Sequence, residues 1–187
     1  MTAPFSMQRS MNPEFSQNYF ELFGLPAAYA IDTSRLDVAY RDVQSQVHPD
    51  RFANAPEAER RRSMQWATFA NEAYQTLKSP LSRARYLVKL NGVDTEEETN
   101  TAMPPDFLMR QMEWREAVVG AKQTRDADAL ENVARELAGE RKVLLSELAR
   151  CLDVAKDYHG AAGAVRKMRF LEKLEEEISG TLELLED

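Results

Sequence analysis

Cysteine occurs once in this 187-residue chain, at Cys151, and histidine twice, at His48 and His159. One cysteine closes no internal disulfide, and with two histidines it cannot assemble a His/Cys metal cluster. Cys151 falls on an apolar helical stripe, where a small core residue is expected. Only 7 glycines and 8 prolines punctuate the chain, which favours long helices over a turn-rich fold. Net positive charge is lacking too: the balance is −7, whereas a dedicated nucleic-acid binder needs a basic surface for phosphates. No run approaches the ~20 apolar residues of a membrane span. The N-terminus has no apolar core of a secretory signal, so no membrane contact and a cytoplasmic location are expected. A Gly-rich phosphate loop is also missing, and no cofactor is expected.

What is present is helical periodicity around one tripeptide, His48-Pro49-Asp50. Leu36, Tyr40, Val43 and Val47 recur at i, i+4, i+7 and i+11, one face of a helix. Asp32 or Thr33 caps it, and Pro49 ends it, since proline disfavours helical geometry in the residue before it. Trp66, Ala70, Ala73 and Leu77 repeat the spacing in a second helix over 56–77, stopped by Ser79-Pro80. A helical hairpin with His48-Pro49-Asp50 at its tip follows. Ahead of it, Asn18 caps a short helix over 19–23, closed by Gly24. Residues 1–17 have no period and read as a disordered leader. Arg60, Arg61 and Arg62 sit beside acidic neighbours and read as surface charge. The amphipathic stretch 81–90 can pack back on the hairpin. Asn91-Gly92 and the acidic 94–100 read as a linker within 91–103.

From Pro104-Pro105-Asp106 onward three more helices are expected, the later two over about 124–155 and 161–186. Short connections make them antiparallel neighbours in a three-helix bundle over 104–187. The middle helix carries a stripe of Leu130, Ala134, Leu137, Leu144, Leu148 and Cys151; the last carries Met168, Leu171, Leu174, Ile178, Leu182 and Leu185. In the first helix the apolar residues split, at about 100° per residue, into two groups. Phe107, Trp114, Val118 and Ala121 share one face; Leu108, Met109, Met112 and Val119 point elsewhere, with Glu113 and Glu116 beside them. The surplus stripe is either a partner-binding surface or a helix side buried a second time. Phe170 is displaced by one residue from the Leu171 stripe, so it is either a flank contact or an exposed anchor.

Residues 18–90 resemble a J-domain, on Tyr19-Phe20-Glu21-Leu22-Phe23-Gly24-Leu25, His48-Pro49-Asp50-Arg51-Phe52 and Phe69-Ala70-Asn71-Glu72-Ala73-Tyr74-Gln75-Thr76-Leu77. J-domains stimulate ATP hydrolysis by a DnaK-type chaperone through the His-Pro-Asp tip. The resemblance implies chaperone contacts at His48, Pro49 and Asp50, with Arg35, Arg41 and Arg51 as the basic face. Asp37 and Asp42 dilute that face, and an ordinary solvated surface is the other reading of Arg35. With a helical C-terminal domain and no Gly/Phe-rich linker or cysteine repeats, residues 18–187 resemble the HscB family of iron–sulfur co-chaperones. Phe107-Leu108-Met109 and Val165-Arg166-Lys167-Met168-Arg169-Phe170-Leu171 carry this resemblance in the second half.

The family implies an all-α protein of J-domain hairpin plus three-helix bundle. Its partners would be an HscA-type (DnaK-like) chaperone and an IscU-type scaffold protein, and it would have no catalytic residue of its own. The scaffold contacts implied are Leu108, Met109, Met112, Glu113, Glu116 and Phe170; a further acidic family position falls on Gly120. The N-terminal zinc-binding cysteines of some eukaryotic relatives are absent, which fits a bacterial-type chain. Three other readings stand beside it. His48 and Asp50 could be an acid–base pair, which would need a pocket. The chain could be a general J-protein for unfolded clients, or a purely structural adaptor.

Overall fold

The computed structural model describes residues 18–97 and 103–186. The expected leader, 1–17, and part of the expected linker, 98–102, lie outside the described residues. Those described form helices and no strands: α1 (Tyr19–Leu22), α2 (Thr33–Val47), α3 (Glu57–Lys78), α4 (Pro80–Leu90), α5 (Pro105–Thr124), α6 (Ala127–Ala149) and α7 (Tyr158–Glu186). A 3-10 turn over Pro49–Phe52 follows α2, and a π-helical turn over Arg150–Ala155 extends α6. They divide into two compact units, one running to Ala27 and resuming over Ile31–Leu77, the other taking Ala28–Ala30 and the chain from Lys78.

In the first unit the caps do what the sequence asks of them. Asn18 and Glu21 form a reciprocal capping box on α1, satisfying two backbone donors that the helix leaves open. Gly24, at φ 62°, takes a left-handed conformation that a β-carbon would strain. The Asp32 carboxylate accepts from the amides of Ser34 and Arg35 at 2.9 and 3.2 Å. Leu36, Val47, Ala70, Ala73 and Leu77 are buried with Phe20 and Leu25. Tyr40 and Tyr74 stack at 4.1 Å across the hairpin; the Tyr40 hydroxyl bonds Asn71, and that of Tyr74 donates to Asp37 at 3.0 Å.

In the second unit, α5, α6 and α7 bury the expected stripes, from Phe107, Trp114, Val118 and Ala121 on α5 to Leu171, Leu174 and Ile178 on α7. Val133 is buried where Ala134 was expected to be, and Leu182 and Leu185 are only half-buried. The helix α4, which sequence reading groups with the hairpin, packs on α7 and belongs to this unit. Residues 93–97 are held as well. Arg85 grips Glu97 through both carboxylate oxygens, with contacts of 2.6 to 2.9 Å, and Arg166 donates to the Thr95 carbonyl at 3.0 Å.

The π-helical turn presents Asp153 to residues 29 and 30, whose amides donate to its two oxygens at 2.7 and 2.8 Å. Arg83, 7% exposed, lies over the Tyr29 ring at 5.1 Å. The Ala30 amide can return to water, but the half-buried Tyr29 amide cannot do so fully. Asp153→Ala is therefore expected to lower stability by about 1–3 kcal/mol, the cost of one stranded donor. Urea unfolding of the whole chain checks this; an unchanged midpoint would show that the carboxylate contributes nothing net. Cys151 is buried in the same turn, and burial raises its thiol pKa. A protonated, inaccessible thiol is a poor nucleophile, so alkylation near pH 7 should be slow in the native protein and fast in urea.

Candidate functional site

Two surfaces carry the candidate residues, one in each unit. In the first, α2 ends at His48, whose backbone (φ −58°, ψ 127°) leaves the helix. Pro49 then starts the 3-10 turn, as its fixed φ suits a first helical position. His48 Nδ1 accepts from the Asp50 amide at 3.3 Å and lies 3.6 Å from the Asp50 carboxylate. With Nδ1 an acceptor, a neutral imidazole carries its proton on Nε2. The Arg51 amide donates to the His48 carbonyl at 3.0 Å, and its guanidinium donates to the Ser45 carbonyl at 3.0 Å. His48, Asp50 and Arg51 are exposed, as are Arg35 and Arg41 on α2. A cleft lined by Arg141, Glu172, Glu175 and Glu183 lies in the second unit, on α6 and α7. His48 and Asp50 are both exposed, whereas an acid–base pair working inside a pocket is enclosed by it.

In the second unit, α5 separates its two apolar groups as the helical angles require. Phe107, Trp114, Val118 and Ala121 face the core, while Leu108, Met109, Met112 and Val119 are 48, 61, 64 and 51% exposed. Within its own unit the surplus stripe is not packed into the core. Glu113 and Glu116 are exposed beside it. Phe170 is half-buried: it stacks on Trp114 at 6.4 Å and meets Phe107 edge-on at 6.1 Å. It is a flank contact with part of its ring open.

Two residues of this surface escaped the sequence reading. Arg115 lies over the Phe170 ring at 5.3 Å, and its spacing of seven from Leu108 was the available signal. Arg110 covers Trp114 at 4.8 Å and pairs with Glu140, while the Trp114 indole donates to Glu136 at 3.0 Å. These contacts hold the Trp114 and Phe170 rings in place. No helix among the described residues is long and apolar enough to cross a membrane.

Comparison with known proteins places this geometry. Residues 103–179 match the family model described as the HSCB C-terminal oligomerisation domain. A co-chaperone protein HscB homolog of Cupriavidus taiwanensis is 52% identical over 177 residues, spanning 95% of this chain and 100% of that protein. One from Burkholderia mallei is 54% identical over 169 residues, covering 90% and 96% of the two chains. Among solved structures, chaperone HscB from Vibrio cholerae superposes with a TM-score of 0.78 at 37% identity, over 90% of this chain and 99% of that one. The human co-chaperone protein HscB does so with a TM-score of 0.84 at 30% identity, over 89% and 83%. With its tip, its exposed α5 stripe and relatives matched along nearly their whole length, the chain belongs to the HscB family of co-chaperones.

Proposed function

We propose that this co-chaperone couples an IscU-type iron–sulfur scaffold protein to an HscA-type, DnaK-like chaperone. The observation that carries the reading is the exposed stripe Leu108, Met109, Met112 and Val119, rimmed by Glu113 and Glu116 on a helix whose other face is fully used in the core. A folded domain has no internal use for such a stripe, and apolar anchors with a charged rim are the anatomy of a protein interface. Methionines suit it, because their flexible side chains adapt to a partner surface. Leu108, Met109, Met112, Glu113, Glu116 and Phe170 form the scaffold end, within 104–187. His48, Pro49 and Asp50, flanked by Arg35, Arg41 and Arg51, form the chaperone end, within 18–90.

The mechanism is proximity and selection. A scaffold held at one end is presented to the chaperone at a raised effective concentration. A tip that binds the hydrolysis-competent chaperone state better than the other shifts the chaperone toward it. The iron–sulfur cluster travels on the scaffold as cargo, and the chemistry of ATP hydrolysis belongs to the chaperone. No residue of this chain needs to act as a catalyst, and the work takes place in the cytoplasm.

The test is the steady-state ATPase rate of the DnaK-like chaperone with the co-chaperone, the scaffold, or both. Stimulation by the co-chaperone that the scaffold strengthens supports coupling. Stimulation equal with scaffold and with denatured clients would favour a general J-protein, and no stimulation would favour a structural adaptor.

A further inference from the structure

Ser63 is the buried polar side chain of the first unit among the described residues, 4% exposed in the N-terminal third of α3. Its neighbours in sequence, Arg62 and Met64, are both exposed. The Ser63 hydroxyl donates to the Val47 carbonyl at 2.6 Å, sixteen residues away in the chain. That carbonyl belongs to the last residue of α2 and has no amide partner within its own helix. It is also half of the peptide group that joins Val47 to His48. A hydrogen bond to its oxygen therefore fixes the plane from which His48 departs.

The following side of His48 is fixed as well. Pro49 restricts the next φ, and the His48 carbonyl accepts from the Arg51 amide at 3.0 Å. Arg51 closes the arrangement by capping the Ser45 carbonyl. Resting on the chaperone-binding reading of the tip, we propose that Ser63 is a positioning residue: its buried hydroxyl holds the Val47–His48 peptide so that His48 and Asp50 are presented to the chaperone already in their binding geometry. A tip so held binds without first having to be ordered, whereas a tip free to rotate at that peptide is competent only part of the time.

The experiment compares the full chain with Ser63→Ala, Ser63→Thr and Ala70→Gly. Ala70 is buried in α3, so its glycine variant weakens the same helix away from the tip. For Ser63→Ala, the concentration giving half-maximal stimulation of the DnaK-like ATPase should rise about fivefold, as for a tip competent a fifth of the time. The maximal rate should stay unchanged. Backbone amide resonances of His48, Asp50 and Arg51 should shift or broaden. Ser63→Thr keeps the hydroxyl and should restore both readouts, and Ala70→Gly should lower thermal stability with neither change. Wild-type behaviour of Ser63→Ala, or the same loss in Ala70→Gly, would overturn the proposal. If the wild-type protein stimulates no ATPase, the functional reading fails, and the amide resonances alone decide whether Ser63 positions the tip.

Discussion

Replacing His48 with glutamine is expected to reduce stimulation of the chaperone ATPase to background at every concentration, with scaffold affinity unchanged. The side chain is exposed and makes a short local bond to the Asp50 amide, so the fold should hardly notice; exposed substitutions of this kind usually shift stability by under about 0.5 kcal/mol. Glutamine can offer an oxygen to the same amide. It cannot place a ring donor at the Nε2 position, nor the flat face of an imidazole. Adding more of the variant should therefore not recover the rate. An ATPase titration run beside calorimetric binding to the scaffold separates the two ends. Stimulation retained by His48→Gln would remove the tip from the mechanism, and lost scaffold affinity would mean that the two ends are not independent.

The second large effect is expected on the other surface. Leu108→Ala with Met112→Ala removes two exposed anchors, and the triple variant adds Phe170→Ala at the half-buried ring. Interface anchors cost about 1–3 kcal/mol each when truncated. Even with incomplete additivity, the triple variant should bind scaffold roughly 100- to 1000-fold more weakly, at about 1.4 kcal/mol per tenfold. Stimulation by the co-chaperone without scaffold should be unaffected, and saturating scaffold should restore the full coupled rate. The double variant is the cleaner measurement, because Leu108 and Met112 are exposed and lie outside the core stripe. Phe170 contacts Phe107 and Trp114, so part of its loss will appear as stability. Affinity unchanged by the double variant would place the scaffold elsewhere.

Much of this was legible in the chain because helices advertise their faces. On α5, Phe107 and Leu108 are adjacent in sequence, yet one is buried and the other open; a rotation of about 100° between neighbours predicts that outcome. The end of α2 at His48 was legible because Pro49 disfavours helical geometry in the residue before it. The placement of α4 was not. Leu81, Ala84, Leu87 and Val88 announce an apolar face, but such a face does not name the helix it meets, and α7 meets it. Ser63 gave no signal either, since a serine after three arginines reads as solvated until α2 is packed against it. Arg115 was hidden in part for the same reason, since α7 brings it the Phe170 ring, whereas Arg110 and Trp114 lie four apart on α5 and that spacing was readable. The π-helical turn kept its apolar residues, Cys151 and Leu152, close enough to period to pass as ordinary helix.

That wide turn also sets how far the chain tolerates insertion and deletion. Each of its backbone bonds spans five residues instead of four, so Arg150–Ala155 stores one residue more than a regular turn requires. Deleting Leu152 would allow the segment to close as α-helix, changing both the angle and the height at which Asp153 leaves the axis. Its carboxylate would then face away from the amides of Tyr29 and Ala30 that it now receives. At this point the number of residues matters more than their kind. A shortened homologue can remain compatible with the fold only if it finds another acceptor for those amides.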